Sequence, residues 1–146
     1  MKSQQNISKN MKTMRTFLQQ KLWRDKAVDL MERNHGSKIN WRYLNDQEFD
    51  EQIRIKLIEE TEEVITAISR DDLIAEIADV YEVINSLVTL HNITQEEVIA
   101  AQKKKHEDRG GFEGRRFVET AEHPVDSFGE RYCLADLKKY PEILEQ

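Results

Sequence analysis

Turn-forming residues are scarce in this chain. Its 146 residues include 5 Gly and 2 Pro, where average usage of about 7% and about 5% would give about ten and about seven. No Gly lies between Gly36 and Gly110 and no Pro precedes Pro124, so residues 37–109 lack both. A β-sandwich or small barrel needs a turn every 8–12 residues or so, and this stretch argues against one. The single cysteine, Cys133, cannot close an intrachain disulfide. With no signal peptide visible, a reducing, cytoplasmic setting is expected. No apolar run approaches the ~18–20 residues of a membrane span. Positive charge is the minority: 22 Lys and Arg face 28 Asp and Glu, a net −6. That balance argues against a nucleic-acid polymer or an anionic membrane as partner.

What remains is a charged chain, 34% Asp, Glu, Lys and Arg and 38% hydrophobic, with a mean hydropathy of −0.74. The core should be lean, with burial completed by a partner subunit. Residues 1–16 are polar, carry four Lys/Arg and no acid, and read as a flexible leader. Residues 17–118 form the expected domain and 119–146 an extension holding both prolines. Phe17, Leu18, Leu22, Val28, Leu30 and Met31 fit an amphipathic helix over 17–34, with a break near Trp23-Arg24. Residues 35–45 read as a loop. From Asp46, Phe49, Ile53, Leu57, Val64 and Ile68 recur at helical spacing. Ser69-Arg70-Asp71-Asp72 reads as a turn whose Ser or Asp caps the next helix. In that helix Leu73, Ile74, Ile77, Val80, Tyr81, Ile84, Leu87 and Val88 cover most of the circumference, which predicts burial in the middle of a bundle. Thr94-Gln95-Glu96-Glu97 matches a capping box. The helix it opens runs to about His106 and ends at the glycines of Arg109-Gly110-Gly111.

The negative charge is concentrated. Residues 59–82 hold nine acids and one base, Arg70. Glu60/Glu63 and Glu76/Asp79 are each three apart, so each pair shares one side of its helix. At about 100° per residue, both pairs border the apolar faces while Glu62 and Glu82 point away. In an antiparallel helical hairpin, residues equidistant from the turn sit level. Glu63 and Glu76, and likewise Glu60 and Asp79, are equidistant from the point between Ser69 and Arg70, where the turn falls. A solvated acidic face is the usual meaning of such a run, but two level pairs bordering a core point to convergence. Like charges at ~4 Å repel by about 4 kcal/mol at an effective dielectric near 20. A hard divalent cation, Mg²⁺ or Mn²⁺, resolves that conflict and commonly adds substrate phosphates as ligands.

The order EExxE, twelve residues, then ExxD resembles the all-α nucleoside-triphosphate pyrophosphohydrolases of the MazG type. Residues 21–26, Lys-Leu-Trp-Arg-Asp-Lys, look like the KLVRDK opening of the phosphoribosyl-ATP-pyrophosphohydrolase-like branch. Residues 105–112, KHEDRGGF, look like its closing K-x-x-x-RGGF. The likeness spans about residues 21–118; the family's Pro is Val28 here. It implies an all-α helical bundle built around a hairpin carrying both motifs, assembled as a homodimer or homotetramer. It implies Glu60, Glu63, Glu76 and Asp79 as Mg²⁺ ligands and Glu59 as an auxiliary acid. Lys21, Arg24, Lys26, Lys105 and Arg109 would meet the phosphates. The implied reaction is NTP plus water giving NMP and pyrophosphate, in the manner of nucleotide-pool house-cleaning. Its rivals are phosphoribosyl-ATP hydrolysis and a non-catalytic module that binds nucleotide or metal.

Other signals are weaker. Glu32-x-x-His35 occurs once, where a di-iron bundle needs that motif twice. Gly110, Gly111 and Gly114 lack the setting of a phosphate loop. Cys133 has no evident base and reads as a packing residue. Trp23 and Trp41 read as packing residues before base-stacking ones.

Overall fold

A computed structural model describes residues 13–144, which are helical and strand-free: α1 (Asp25–His35), α2 (Asp46–Thr66), α3 (Arg70–Leu90), α4 (Gln95–Arg109) and α5 (Phe128–Leu134). Most of the expected 1–16 leader and the last two residues of the 119–146 extension lie outside the described residues. No helix among the described residues is long and apolar enough to cross a membrane. The chain divides into two compact units, with the boundary between Ala100 and Ala101 in α4.

In the first unit, local chemistry marks where helices begin. Asn45 caps α2: its side chain accepts from the Glu48 N–H at 2.9 Å, and the Glu48 carboxylate accepts from the Asn45 N–H at 3.1 Å. Arg42 grips the same carboxylate at 2.8 and 3.0 Å. This guanidinium, aided by the Asn45 N–H, holds Glu48 down to about 2. Ser69 and Asp72 form the equivalent box on α3, at 3.0 and 3.2 Å. The expected Thr94–Glu97 box is present, at 3.2 and 2.7 Å. Left-handed glycines close α1 and α4: Gly36 at φ 68° and Gly110 at φ 77°, where side chains bearing a Cβ are disfavoured.

α2 and α3 pack along each other. The chain reverses over Ala67–Ser69, and His91, just past α3, reaches back to Asp50 near the start of α2. His91 Nε2 lies 2.6 Å from Asp50 Oδ1, and Arg54 Nε holds the same carboxylate at 3.1 Å. Ile53 and Val83, each 5% exposed, are the buried apolar residues between the helices. Phe49, Leu57, Val64, Val80, Ile84, Leu87 and Val88 are half-buried around them.

The structure corrects several expectations. The first helix begins at Asp25 and not at Phe17; residues 21–24 precede it outside any helix, with Lys21 and Arg24 paired to carboxylates of α2 and α3. Ile68 is 97% exposed, since α2 stops at Thr66 and leaves it on the connection. α3 does not lie in the middle of a bundle: Leu73, Ile74, Ile77 and Tyr81 are exposed, and its extensive helix packing is with α2.

The second unit carries the remainder of α4, a loop and α5. Ser127 caps α5 by accepting from the Glu130 N–H at 3.3 Å. Tyr132 stacks between Phe128 and Tyr140, with ring centroids 6.0 and 5.5 Å apart. Cys133 is half-buried and reduced, in keeping with a packing role.

Two stability tests follow. Ile53→Ala should cost about 2–5 kcal/mol in denaturant unfolding, the range for emptying a buried aliphatic site. Asp50 is held below its ordinary value of 3.8 by the hydrogen bond from Arg54 and then that from His91. A depressed carboxylate contributes stability that is present above its unfolded value and lost as pH falls through the folded one. Wild-type stability should therefore drop below about pH 4 more steeply than that of Asp50→Asn, whose acid limb should be flatter; matching acid limbs would refute the clasp.

Candidate metal centre

The acidic motifs sit where α2 and α3 approach the turn. Carboxylate oxygens of Glu60, Glu63 and Glu76 lie within 4.8 Å of one another. Glu60 is the deepest at 5% exposed, Glu76 is half-buried and Glu63 exposed. Glu60 Oε2 and Glu76 Oε2 are both buried without a hydrogen-bond partner. Burying such atoms unpaired is costly. Three convergent carboxylates, two of them carrying a buried oxygen without a partner, fit a divalent cation of the Mg²⁺ or Mn²⁺ type. Glu60, Glu63 and Glu76 could therefore hold a metal ion.

Asp79, the fourth expected ligand, is not within this cluster. It pairs instead with the Arg24 guanidinium, whose charge is strengthened chiefly by that hydrogen bond. Lys21 Nζ lies 2.8 Å from Glu59 Oε1. The segment before α1 thus reaches both acidic motifs, Glu59 through Lys21 and Asp79 through Arg24. The two expected phosphate cations stand at the site, each engaged with a carboxylate but still solvent-accessible, with side chains 44% and 60% exposed for Lys21 and Arg24. Lys26 is exposed on α1, while Lys105 and Arg109 are exposed on α4 in the second unit.

One residue here escapes the motif reading. Lys56 Nζ lies 2.6 Å from Glu60 Oε1 and 3.2 Å from Glu59 Oε1, with a side chain only 19% exposed. Burial works against its charge, but the hydrogen bonds to Glu60 and Glu59 prevail and raise it above the ordinary lysine value. The signal was present in the sequence, since Lys56 precedes Glu59 and Glu60 by three and four residues, the spacing of helical ion pairs. Glu59 is held below the usual carboxylate range by Lys21 above all, with Lys56 adding to it. Glu60 moves the opposite way. Burial raises it, Glu63 pushes in the same direction, and Lys56 only partly offsets them.

These groups border an open cleft of about 410 Å³, lined by Trp23, Ala27 and Gln19 as well as by Lys21, Arg24, Lys56, Glu59, Glu60, Glu63 and Asp79. Trp23 is half-buried in its wall, whereas Trp41 stacks edge-on against Tyr43 with centroids 4.9 Å apart. No family model, curated protein or solved structure matches the chain.

The cluster makes a prediction independent of any reaction. A carboxylate raised by burial weakens the fold above its folded value and ceases to do so below its unfolded one. In chelator at pH 7–8, Glu60→Gln should raise the melting temperature, and the gain should vanish below about pH 4, where both states are protonated. Millimolar Mn²⁺ should stabilise the wild type and leave Glu60→Gln much less changed. A wild type that Mn²⁺ does not stabilise would count against a metal centre.

Proposed function

We propose that this chain is a Mg²⁺-dependent nucleoside-triphosphate pyrophosphohydrolase of the all-α MazG type, converting NTP and water to NMP and pyrophosphate. The observation that carries the reading is the Glu60–Glu63–Glu76 cluster, with two buried unpartnered oxygens, whose Glu60 and Glu63 line one cleft with Lys21 and Arg24. The cleft volume falls in the range of small-molecule sites.

A bound divalent ion would supply charge neutralisation and a polarised water. Glu60, Glu63 and Glu76 would hold it, and Asp79, freed if a phosphate oxygen takes its place on Arg24, would be the fourth carboxylate available to it. Arg24 suits that exchange because its forked N–H groups match phosphate oxygens, and one of its nitrogens makes the contact to Asp79. Lys21 meets the phosphates from the same segment ahead of α1. Glu59, kept ionised, orients Lys21 and Lys56. The resemblance adds Lys26, in the same unit, to the phosphate contacts. The water oxygen bonds to the α-phosphorus, its proton passes to solvent, the α–β bridging P–O bond breaks with its electron pair going to the bridging oxygen, and the pyrophosphate leaves with its charge met by these cations. Such catalysis is mostly positioning and electrostatics.

The lean interior supports an assembly of like chains, a homodimer or homotetramer in which a helical bundle is completed between subunits. Ile55, Ile58 and Ile65 on α2 and Ile74 and Tyr81 on α3 are each at least half exposed, more than a stable small core would leave open.

The deciding experiment is pyrophosphate release from canonical, deoxy- and modified NTPs and from phosphoribosyl-ATP, with Mg²⁺ or Mn²⁺. Glu63→Gln and Asp79→Asn should each lower the rate by about 10²-fold or more, the scale of losing one preorganised charge contact. Full activity in both variants would sink the assignment. Nucleotide binding by calorimetry without turnover would identify a binding module instead.

A further inference from the structure

Five carboxylates meet three cations at this site. Glu59, Glu60, Glu63, Glu76 and Asp79 stand against Lys21, Arg24 and Lys56, and two negative charges remain when all are ionised. One divalent cation cancels that remainder. Two would reverse it.

Lys56 differs from the other two cations. Its side chain is 19% exposed, against 44% for Lys21 and 60% for Arg24. It belongs to α2 itself, one turn before Glu59 and Glu60, so it cannot swing away with the segment ahead of α1. Its ammonium group touches Oε1 of both glutamates, at 3.2 and 2.6 Å. Glu60 is left with one open oxygen, Oε2, which is buried and unpartnered. In paired-metal sites the two ions sit ≈ 3.5–4 Å apart, which calls for carboxylates that offer an oxygen to each. Glu60 is the deepest carboxylate here, and the oxygen it would offer a second ion is the one the ammonium holds. A surface lysine at helical spacing would be commonplace; a largely buried one, locked onto two carboxylates beside two orphaned oxygens, is not.

We propose that Lys56 stands in the place of a second metal ion, so that the centre takes a single divalent cation per chain. This rests on the metal reading above and deepens it: Lys56 is a positioning residue that turns Glu60 into a one-oxygen ligand. A lysine there supplies a fixed point charge where a second ion would supply an exchangeable one.

Mn²⁺ titration of the full chain tests this, by calorimetry and by electron paramagnetic resonance, which counts bound ions and detects coupling between neighbouring ones. Sites are scored as those abolished in Glu63→Gln. The wild type and Lys56→Arg, which keeps the charge, should bind one ion without Mn–Mn coupling. Lys56→Met, which keeps the stem and loses the charge, should bind two that couple. Two coupled ions in the wild type would overturn the proposal, and so would a folded Lys56→Met that still binds one. Should Lys56→Met fail to fold by circular dichroism, the wild-type and Lys56→Arg counts decide it. No Mn²⁺ bound by the wild type at all would instead remove the metal reading, and this inference with it.

Discussion

A buried carboxylate among other carboxylates needs positive charge nearby, and the first unit is arranged around that need at Glu60. Its burial and its neighbour Glu63 both disfavour ionisation. The responses come from three directions. Lys56 answers from within α2, Lys21 answers indirectly through Glu59, and Arg24 removes Asp79 from the crowd. What they leave uncompensated is the pair of buried oxygens on Glu60 and Glu76. The segment ahead of α1 is non-helical, and its cations Lys21 and Arg24 are held by carboxylates of α2 and α3.

The helix pair that carries the cluster is held modestly. Its buried apolar residues are Ile53 and Val83. The capping boxes at Asn45 and Ser69 define where α2 and α3 begin, and the Asp50–Arg54–His91 contacts tie their far ends. Caps and clasps set register and direction, and solvent-exposed ones add little to stability. The remaining apolar surface of α2 and α3 lies open, and a second copy covering it would both complete the core and stiffen the metal cluster. Fold stability and site preorganisation would then have one source.

How far the site was legible can be judged residue by residue. Glu60, Glu63 and Glu76 converge as their spacing and their distance from the turn require, because two helices joined by a short connection leave little freedom in level. Asp79 has the same regularity and is nonetheless drawn away, since its partner comes from a segment whose path no periodicity describes. Lys56 was visible as an i,i+4 neighbour of Glu60, yet acidic motifs direct attention to acids and pass over the counter-ion. The exposed edge of α3 was misread because periodicity reports how much of a helix is apolar, not whether its own chain supplies the cover.

The sequence by itself determined the local features: helices without strands, the capped starts at Ser69 and Thr94, the glycine stop at Gly110, and the approach of Glu60, Glu63 and Glu76 within an expected quartet that included Asp79. Each depends on interactions within a few residues, or on the reversal of two adjacent helices. Only the tertiary structure decided which carboxylates meet and which are neutralised. It paired Arg24 with Asp79 across 55 positions and Lys21 with Glu59 across 38, and it buried Lys56 against Glu60. Those outcomes turn on desolvation and on charges brought together from distant parts of the chain, and neither is encoded in spacing.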